Sequence, residues 1–138
     1  MDIREVMHRD SYWAQPTTPL IDIARAMREH DIGSLPVVES DKLVGMVTDR
    51  DLAIRGLADG RDASSTTARD IMTGEMYWCY DDTDVNEVAK YMQEKRVRRI
   101  PVVNHDKRLV GMVSIGDITR ASTELAGETL RKLSAVGD

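Results

Sequence analysis

Two pairs of side chains carry the chemistry this chain could offer. Thr48 and Asp51 stand three positions apart, just past the apolar run LVGMV at 43–47, and Ser114 and Asp117 repeat that spacing after the same run at 109–113. Each run reads as a buried strand that delivers a hydroxyl and a carboxylate to the mouth of a helix. A hydroxyl beside the free N–H groups of a helix start suits a phosphate oxygen, and an ionised carboxylate has two acceptor oxygens for neighbouring hydroxyls. The two turns are read as twin candidate nucleotide sites. The bland alternative is that each pair only caps its helix, and one residue can do both.

The elements that must position these groups also occur twice. A shift of 65 residues lays Met7 on Met72, Tyr12-Trp13 on Tyr77-Trp78, Ala24 on Ala89, Met27 on Met92 and Pro36-Val37-Val38 on Pro101-Val102-Val103. The second copy then gains Arg108 in a polar turn, where an insertion costs little, and the shift becomes 66. Each copy opens with a lead-in (3–7 or 68–72) and an aromatic strand candidate (12–15 or 76–80). A helix follows, predicted to be capped by Thr18 with Pro19 at its first position, or by Thr83. Leu20, Ile23, Ala24 and Met27, or Val85, Val88, Ala89 and Met92, form its apolar face. Strands at 35–38 or 100–103 precede the LVGMV strands, which are apolar enough to be covered on both faces. A closing helix starts near Asp49 or Gly116.

This gives a first repeat over 1–58, a small polar linker over 59–67, a second repeat over 68–122 and a C-terminal helix or tail over 123–138. One copy alone buries too little surface for a stable fold. Two copies packed about a pseudo-twofold axis complete one core. The fold class expected is α/β (α+β), with two β-α-β-β-α units.

These residues resemble the CBS domain, the repeat named after cystathionine β-synthase, present as a tandem pair. The resemblance rests on the hydrophobic-Pro-Val-Val strand, the G-x-x-[ST]-x-x-D junction and the A-x-x-M helix, each found in both copies. It implies binding of AMP, ADP, ATP, NAD(H) or S-adenosylmethionine in clefts between the repeats. It also implies a disc-like homodimer, and regulation of an unknown downstream protein by a module with no catalytic domain attached. Residue by residue, Asp51 and Asp117 match the ribose-binding aspartate, and Thr48 and Ser114 the hydroxyl beside phosphate. Arg50 and Gly116 fall in the same turns, Gly116 allowing close approach. Arg98 and Arg99 match positions that reach phosphate, for which the planar guanidinium fork is suited. Adenine is expected against Ala14, Gln15, Cys79 and Tyr80, and against Pro36, Val37, Pro101 and Val102.

The copies are not identical where it matters. Asp49-Arg50 faces Ile115-Gly116 in the alignment, and Gly33-Ser34 faces Arg98-Arg99. The twin sites are therefore expected to be unequal, with Arg98 and Arg99 marking the better phosphate pocket. Lys95 and Arg96 read as surface charges at a helix end. Tyr12, Trp13, Tyr77 and Trp78 read as core or dimer interface ahead of base stacking.

Other function classes are poorly supported. A net charge of −5 argues against general affinity for nucleic acid or anionic membrane. No apolar window of about 18 residues and no secretion signal stand in the sequence, and Cys79 is the one cysteine, so a reducing cytoplasm is expected. His8, His30 and His105 lack metal or triad spacing, and no P-loop or Gly-rich dinucleotide turn is present. No catalytic residue, metal or catalytic cofactor is expected, and no enzyme activity. The function expected is a regulatory module sensing an adenine nucleotide. The alternatives are a dimeric scaffold with vestigial sites, or an accessory of a nucleotide-metabolism enzyme such as inosine monophosphate dehydrogenase.

Overall fold

The computed structural model describes residues 1–123. After a short 3-10 turn at Ile3–Glu5 come α1 (Leu20–His30), β1 (Ser34–Glu39), β2 (Lys42–Thr48) and α2, which starts as Asp49–Asp51 and widens to π-type turns over Leu52–Leu57. Next are α3 (Ala68–Ile71), β3 (Cys79–Tyr80), α4 (Val85–Lys95), β4 (Arg99–Val103), β5 (Leu109–Ser114) and a helix over 115–123, α5. The predicted C-terminal helix at 123–138 lies outside the described residues but for its first position. Among the described residues no helix is long and apolar enough to cross a membrane.

Both predicted hairpins form. β1 pairs antiparallel with β2, and β4 with β5, each with a register shift at the second valine of its Pro-Val-Val. Ser40 and Asp41, both at positive φ, make the two-residue turn that matches strand twist. β3 runs parallel to β4 through Cys79 and Tyr80. In the first repeat the predicted strand at 12–15 shrinks to one bridge, Ala14 on Val37. The reason is Pro16. Its counterpart Asp81 donates its N–H to Val103 O at 2.9 Å, and a proline has no N–H to give.

The predicted helix caps each move by one residue. Pro19, extended at ψ 150°, is the residue before α1, whose first free N–H groups, on Leu20 and Ile21, donate to the carbonyls of Thr66 and Ala63. The stretch between the repeats thus caps α1 in place of Thr18. At α4 the cap is Asp84, whose carboxylate accepts from Asn86 N at 3.0 Å. A charged acceptor is favoured over the Thr83 hydroxyl at the positive end of a helix. Thr83 instead uses its carbonyl to accept from Ile3 N at 2.8 Å.

That last bond belongs to an exchange of lead-in segments. Ile3 and Met7 pack among Val88, Met92, Ile100, Val102 and Val113 of the second repeat. Ala68 and Ile71 pack among Leu20, Ile23, Leu35, Val37 and Val47 of the first. Each lead-in then adds one rung to the outer edge of an LVGMV strand. Thr73 and Met46 exchange two backbone bonds (3.1 and 2.9 Å), and His8 and Met112 exchange two (2.8 and 2.9 Å). The pseudo-twofold relation between repeats is visible in these matched rungs, and the hairpin turns meet on it at Lys42 and Arg108.

Candidate functional site

Both hydroxyl–carboxylate pairs close reciprocal caps. Thr48 Oγ1 accepts from Asp51 N at 3.0 Å while Thr48 N donates to Asp51 Oδ2 at 2.9 Å. Ser114 Oγ accepts from Asp117 N at 3.1 Å while Ser114 N donates to Asp117 Oδ2 at 2.9 Å. The capping reading is therefore correct for all four residues, and it uses one oxygen of each carboxylate. Function rests on the other oxygen.

There the copies part. The cation recorded beside Asp51 Oδ1 is Arg55, with Nε at 3.9 Å, beyond hydrogen-bond distance. Asp117 Oδ1 accepts from His8 Nε2 at 2.7 Å and from the Arg120 guanidinium. The Asp51 side chain is 14% exposed and that of Asp117 is 3% exposed. Burial pushes the Asp117 carboxyl upward, but the Ser114 N–H, the Ser114 hydroxyl and His8 together outweigh it, leaving it below the usual carboxylate range.

Asp51 and Thr48 open on a cavity of about 200 Å³ built from both repeats. Met76, Tyr77, Val97 and Ile100 supply apolar wall, and Arg99 and Pro101 line it from the second repeat. The Arg99 Nε is buried and has no hydrogen-bond partner among the described residues. A buried donor in that state fits an acceptor brought by a ligand.

The pseudo-twofold axis relates this cavity to another of about 390 Å³, lined by His8, Asp10, Ser11, Tyr12, Ile32 and Arg99, among others. His8, Asp10, Ser11, Tyr12 and Ile32 are the shift partners of Thr73, Glu75, Met76, Tyr77 and Val97. Ser114 and Asp117 are absent from its lining. Arg99 faces both cavities.

The remaining expected residues are scattered. Arg98 is exposed and lies with Ile115 and Thr119 on another face, since adjacent residues of an extended segment point opposite ways. Arg50 is exposed, and Gly116 sits by the Arg120 guanidinium. Of the residues expected at adenine, Pro101 lines the Asp51 cavity. Ala14, Pro36, Val37, Cys79 and Val102 are buried in the repeats' own interiors, and Gln15 lines a separate groove beside Trp13. Tyr80 stacks on His105 with ring centroids 4.3 Å apart. Burial, with Asp81 adding to it, pushes the Cys79 thiol up to about 12. Sequence reasoning missed Ser34, Met46, Thr73, Met76, Val97 and Ile100 as lining residues. Ser34 carried a signal, since it is the shift partner of Arg99.

His105 also pairs with Asp82, Nε2 to Oδ2 at 2.8 Å, and Asp81 brings its carboxylate within 4.8 Å of both. Arg4 already offers a cation to Asp81 at 4.0 Å. The spacing of these residues in sequence gave no sign of that cluster.

The family model of the CBS domain matches residues 3–56 and 68–124. The chain belongs to the CBS-domain family. It is 39% identical over 124 residues to hypoxic response protein 1 of Mycobacterium tuberculosis, covering 89% of this chain and 86% of that one. It is 37% identical over 126 residues to the uncharacterized protein MK0525 of Methanopyrus kandleri, covering 91% of this chain and 64% of that protein. Among solved structures, Hypoxic Response Protein I with two coordinated zinc ions has a TM-score of 0.79 at 38% identity, covering 87% of this chain and 98% of that one. CBSX2 in complex with AMP has a TM-score of 0.78 at 25% identity, covering 91% and 98%. The CBS domain pair of MJ0100, in complex with 5′-methylthioadenosine and S-adenosyl-L-methionine, has a TM-score of 0.77 at 28% identity, covering 90% and 97%.

Proposed function

We propose that this CBS pair binds an adenine nucleotide in the cavity between its repeats and regulates a partner protein through that occupancy. The observation that carries the reading is the second oxygen of Asp51, without a hydrogen bond among the described residues, with Arg55 at 3.9 Å, beside a cavity that Arg99 lines from the other repeat. Asp51 Oδ1 accepts from the ribose hydroxyls, and the Thr48 hydroxyl, which already accepts from Asp51 N, keeps its own proton to donate to a phosphate oxygen. Arg99 supplies the charge opposite the phosphate. Met76, Tyr77, Val97 and Ile100 form the apolar slot for the base. The AMP and S-adenosyl-L-methionine complexes of related pairs support this ligand class.

The reading includes a homodimer in the cytoplasm. Its support is a groove along Leu20, Ala24, Leu52, Ala53 and Gly56, with Leu57 80% exposed beside it, and a free cysteine. Regulation requires that the nucleotide bind one conformation better than another, since tight binding alone shifts nothing.

Calorimetric titration with AMP, ATP, NAD, NADH and S-adenosylmethionine tests the reading. Heat from at least one of them, lost in Asp51→Ala, is expected. Silence from all five with folded protein defeats it. A second reading, an interaction scaffold with vestigial sites, draws on Asp117, whose second oxygen is already taken. It requires that the double variant Asp51→Ala, Asp117→Ala keep its cellular role.

A further inference from the structure

Resting on that nucleotide reading, we infer that His8 and Arg120 plug the second ribose clasp, so that each chain takes one adenine nucleotide and not two. The pseudo-twofold axis supplies an internal comparison. Thr73 and His8 are held by the same rung, Thr73 on Met46 and His8 on Met112, so each side chain is delivered to the equivalent place beside an aspartate. With threonine there, Asp51 Oδ1 accepts no hydrogen bond among the described residues, and the nearest cation, Arg55 Nε, stands off at 3.9 Å. With histidine there, Nε2 lies 2.7 Å from Asp117 Oδ1. The second plug follows the same logic. Arg120 reaches Asp117 Oδ1 from within α5, and its shift partner in the first repeat is Ile54, an uncharged residue that is 51% exposed.

The consequence for the cavities is direct. Asp51 and Thr48 line theirs, whereas Asp117 and Ser114 are shut off from the cavity in which His8 stands. A ribose at Asp117 must displace two bonds to a charged group, and one such bond corresponds to roughly tenfold to 150-fold in affinity.

The test is the number of AMP molecules bound per chain at saturation, measured by calorimetry on the full chain. His8→Ala and Arg120→Ala are made separately, because each side chain is itself 63% or 65% exposed and its loss leaves no cavity. The wild type is expected to bind one AMP and His8→Ala two, with Arg120→Ala moving the same way. Adding Asp117→Ala to His8→Ala is expected to remove the second AMP. Two AMP per wild-type chain overturn the inference while leaving the nucleotide reading intact. So does one AMP in wild type, His8→Ala and Arg120→Ala alike when both variants melt near the wild type. One AMP that survives Asp51→Ala and is lost in Asp117→Ala overturns it by placing the nucleotide in the plugged clasp. No AMP bound by the wild type or by either variant overturns AMP binding and this inference together.

Discussion

The carbonyl oxygen of His8 lies 2.7 Å from the point where a β-carbon on Gly111 would stand. That oxygen is fixed by its bond from Met112 N, so it cannot withdraw without breaking the rung that holds the lead-in on β5. At Gly45 the nearest atom, also at 2.7 Å, is the Met72 sulfur, the mobile end of a flexible side chain, with Thr73 O behind it at 3.2 Å. Gly74 meets nothing within 4 Å. Gly111→Ala is therefore expected to cost ~1–3 kcal/mol, Gly45→Ala less, and Gly74→Ala about nothing. Urea unfolding of the three variants checks the order.

Asp51 serves both a cap and an open acceptor, and the two roles separate by substitution. Asp51→Asn keeps an oxygen for Thr48 N but loses the charge, so stability should fall by less than ~1 kcal/mol. Nucleotide affinity should fall roughly tenfold to 150-fold, the worth of a bond to a charged group. Asp51→Ala should lose both. Thermal melts beside calorimetric titration with AMP separate the effects, and an Asn variant that binds as the wild type does would remove Asp51 from the clasp.

How much of this was legible in the sequence follows from how local each cause is. The LVGMV and Pro-Val-Val strands and the two apolar helix faces were legible, because burial writes a continuous or periodic pattern into neighbouring residues. The Thr48–Asp51 and Ser114–Asp117 caps were legible for the same reason, the partners being three apart. The missing first strand was readable only once Pro16 was laid on Asp81. The exchange of lead-ins was not legible, since Ile3 finds its place against Thr83 and leaves no local period. Nor was the plug. His8 and Asp117 are 109 residues apart, and only the folded chain brings the histidine onto the carboxylate, where the differing turn residues had drawn the eye. Arg98 and Arg99 read alike as a pair, and backbone alternation divides them.

Asp117 should leave a signature in acid. Its folded carboxyl sits below the ordinary value, near 3.9 in an unfolded chain, with His8 and Arg120 facing it. A depressed carboxylate stabilises the fold above the unfolded value, and that contribution disappears as pH falls through the folded one. Asp117→Asn is expected to cost ~1.5–3 kcal/mol near pH 7. The gap between variant and wild type should narrow as pH falls below about 4, through the folded carboxyl's value. Urea midpoints taken across that range check it, and a gap that keeps widening below about pH 4 contradicts the sign.

Cys79 makes a simpler test of the packing. Burial, then the nearby Asp81 charge, pushes its thiol up to about 12, so the reactive thiolate is scarce at neutral pH. Native protein should resist a thiol reagent at pH 8 and react fully in urea. In the folded state the thiol holds its proton between the unfolded value near 8.5 and about 12, so stability declines as pH rises through that window. Labelling of the native protein as fast as of the unfolded chain would place Cys79 outside the interior.

Arg99 gives the most discriminating substitution, because it separates the phosphate from the nucleoside. Its Nε is buried without a partner among the described residues, and its side chain lines both the Asp51 cavity and the one beside His8. If its task is the phosphate, Arg99→Ala weakens AMP roughly tenfold to 150-fold and leaves adenosine nearly as it was. Arg99→Lys keeps a charge but loses the fork, and should fall between. Stability should hold or rise slightly, since a buried donor with no acceptor is a cost to the fold. Parallel titrations with AMP and adenosine decide the matter. Equal losses for both ligands would make Arg99 a wall of the base pocket, and no loss for either would take it out of the site.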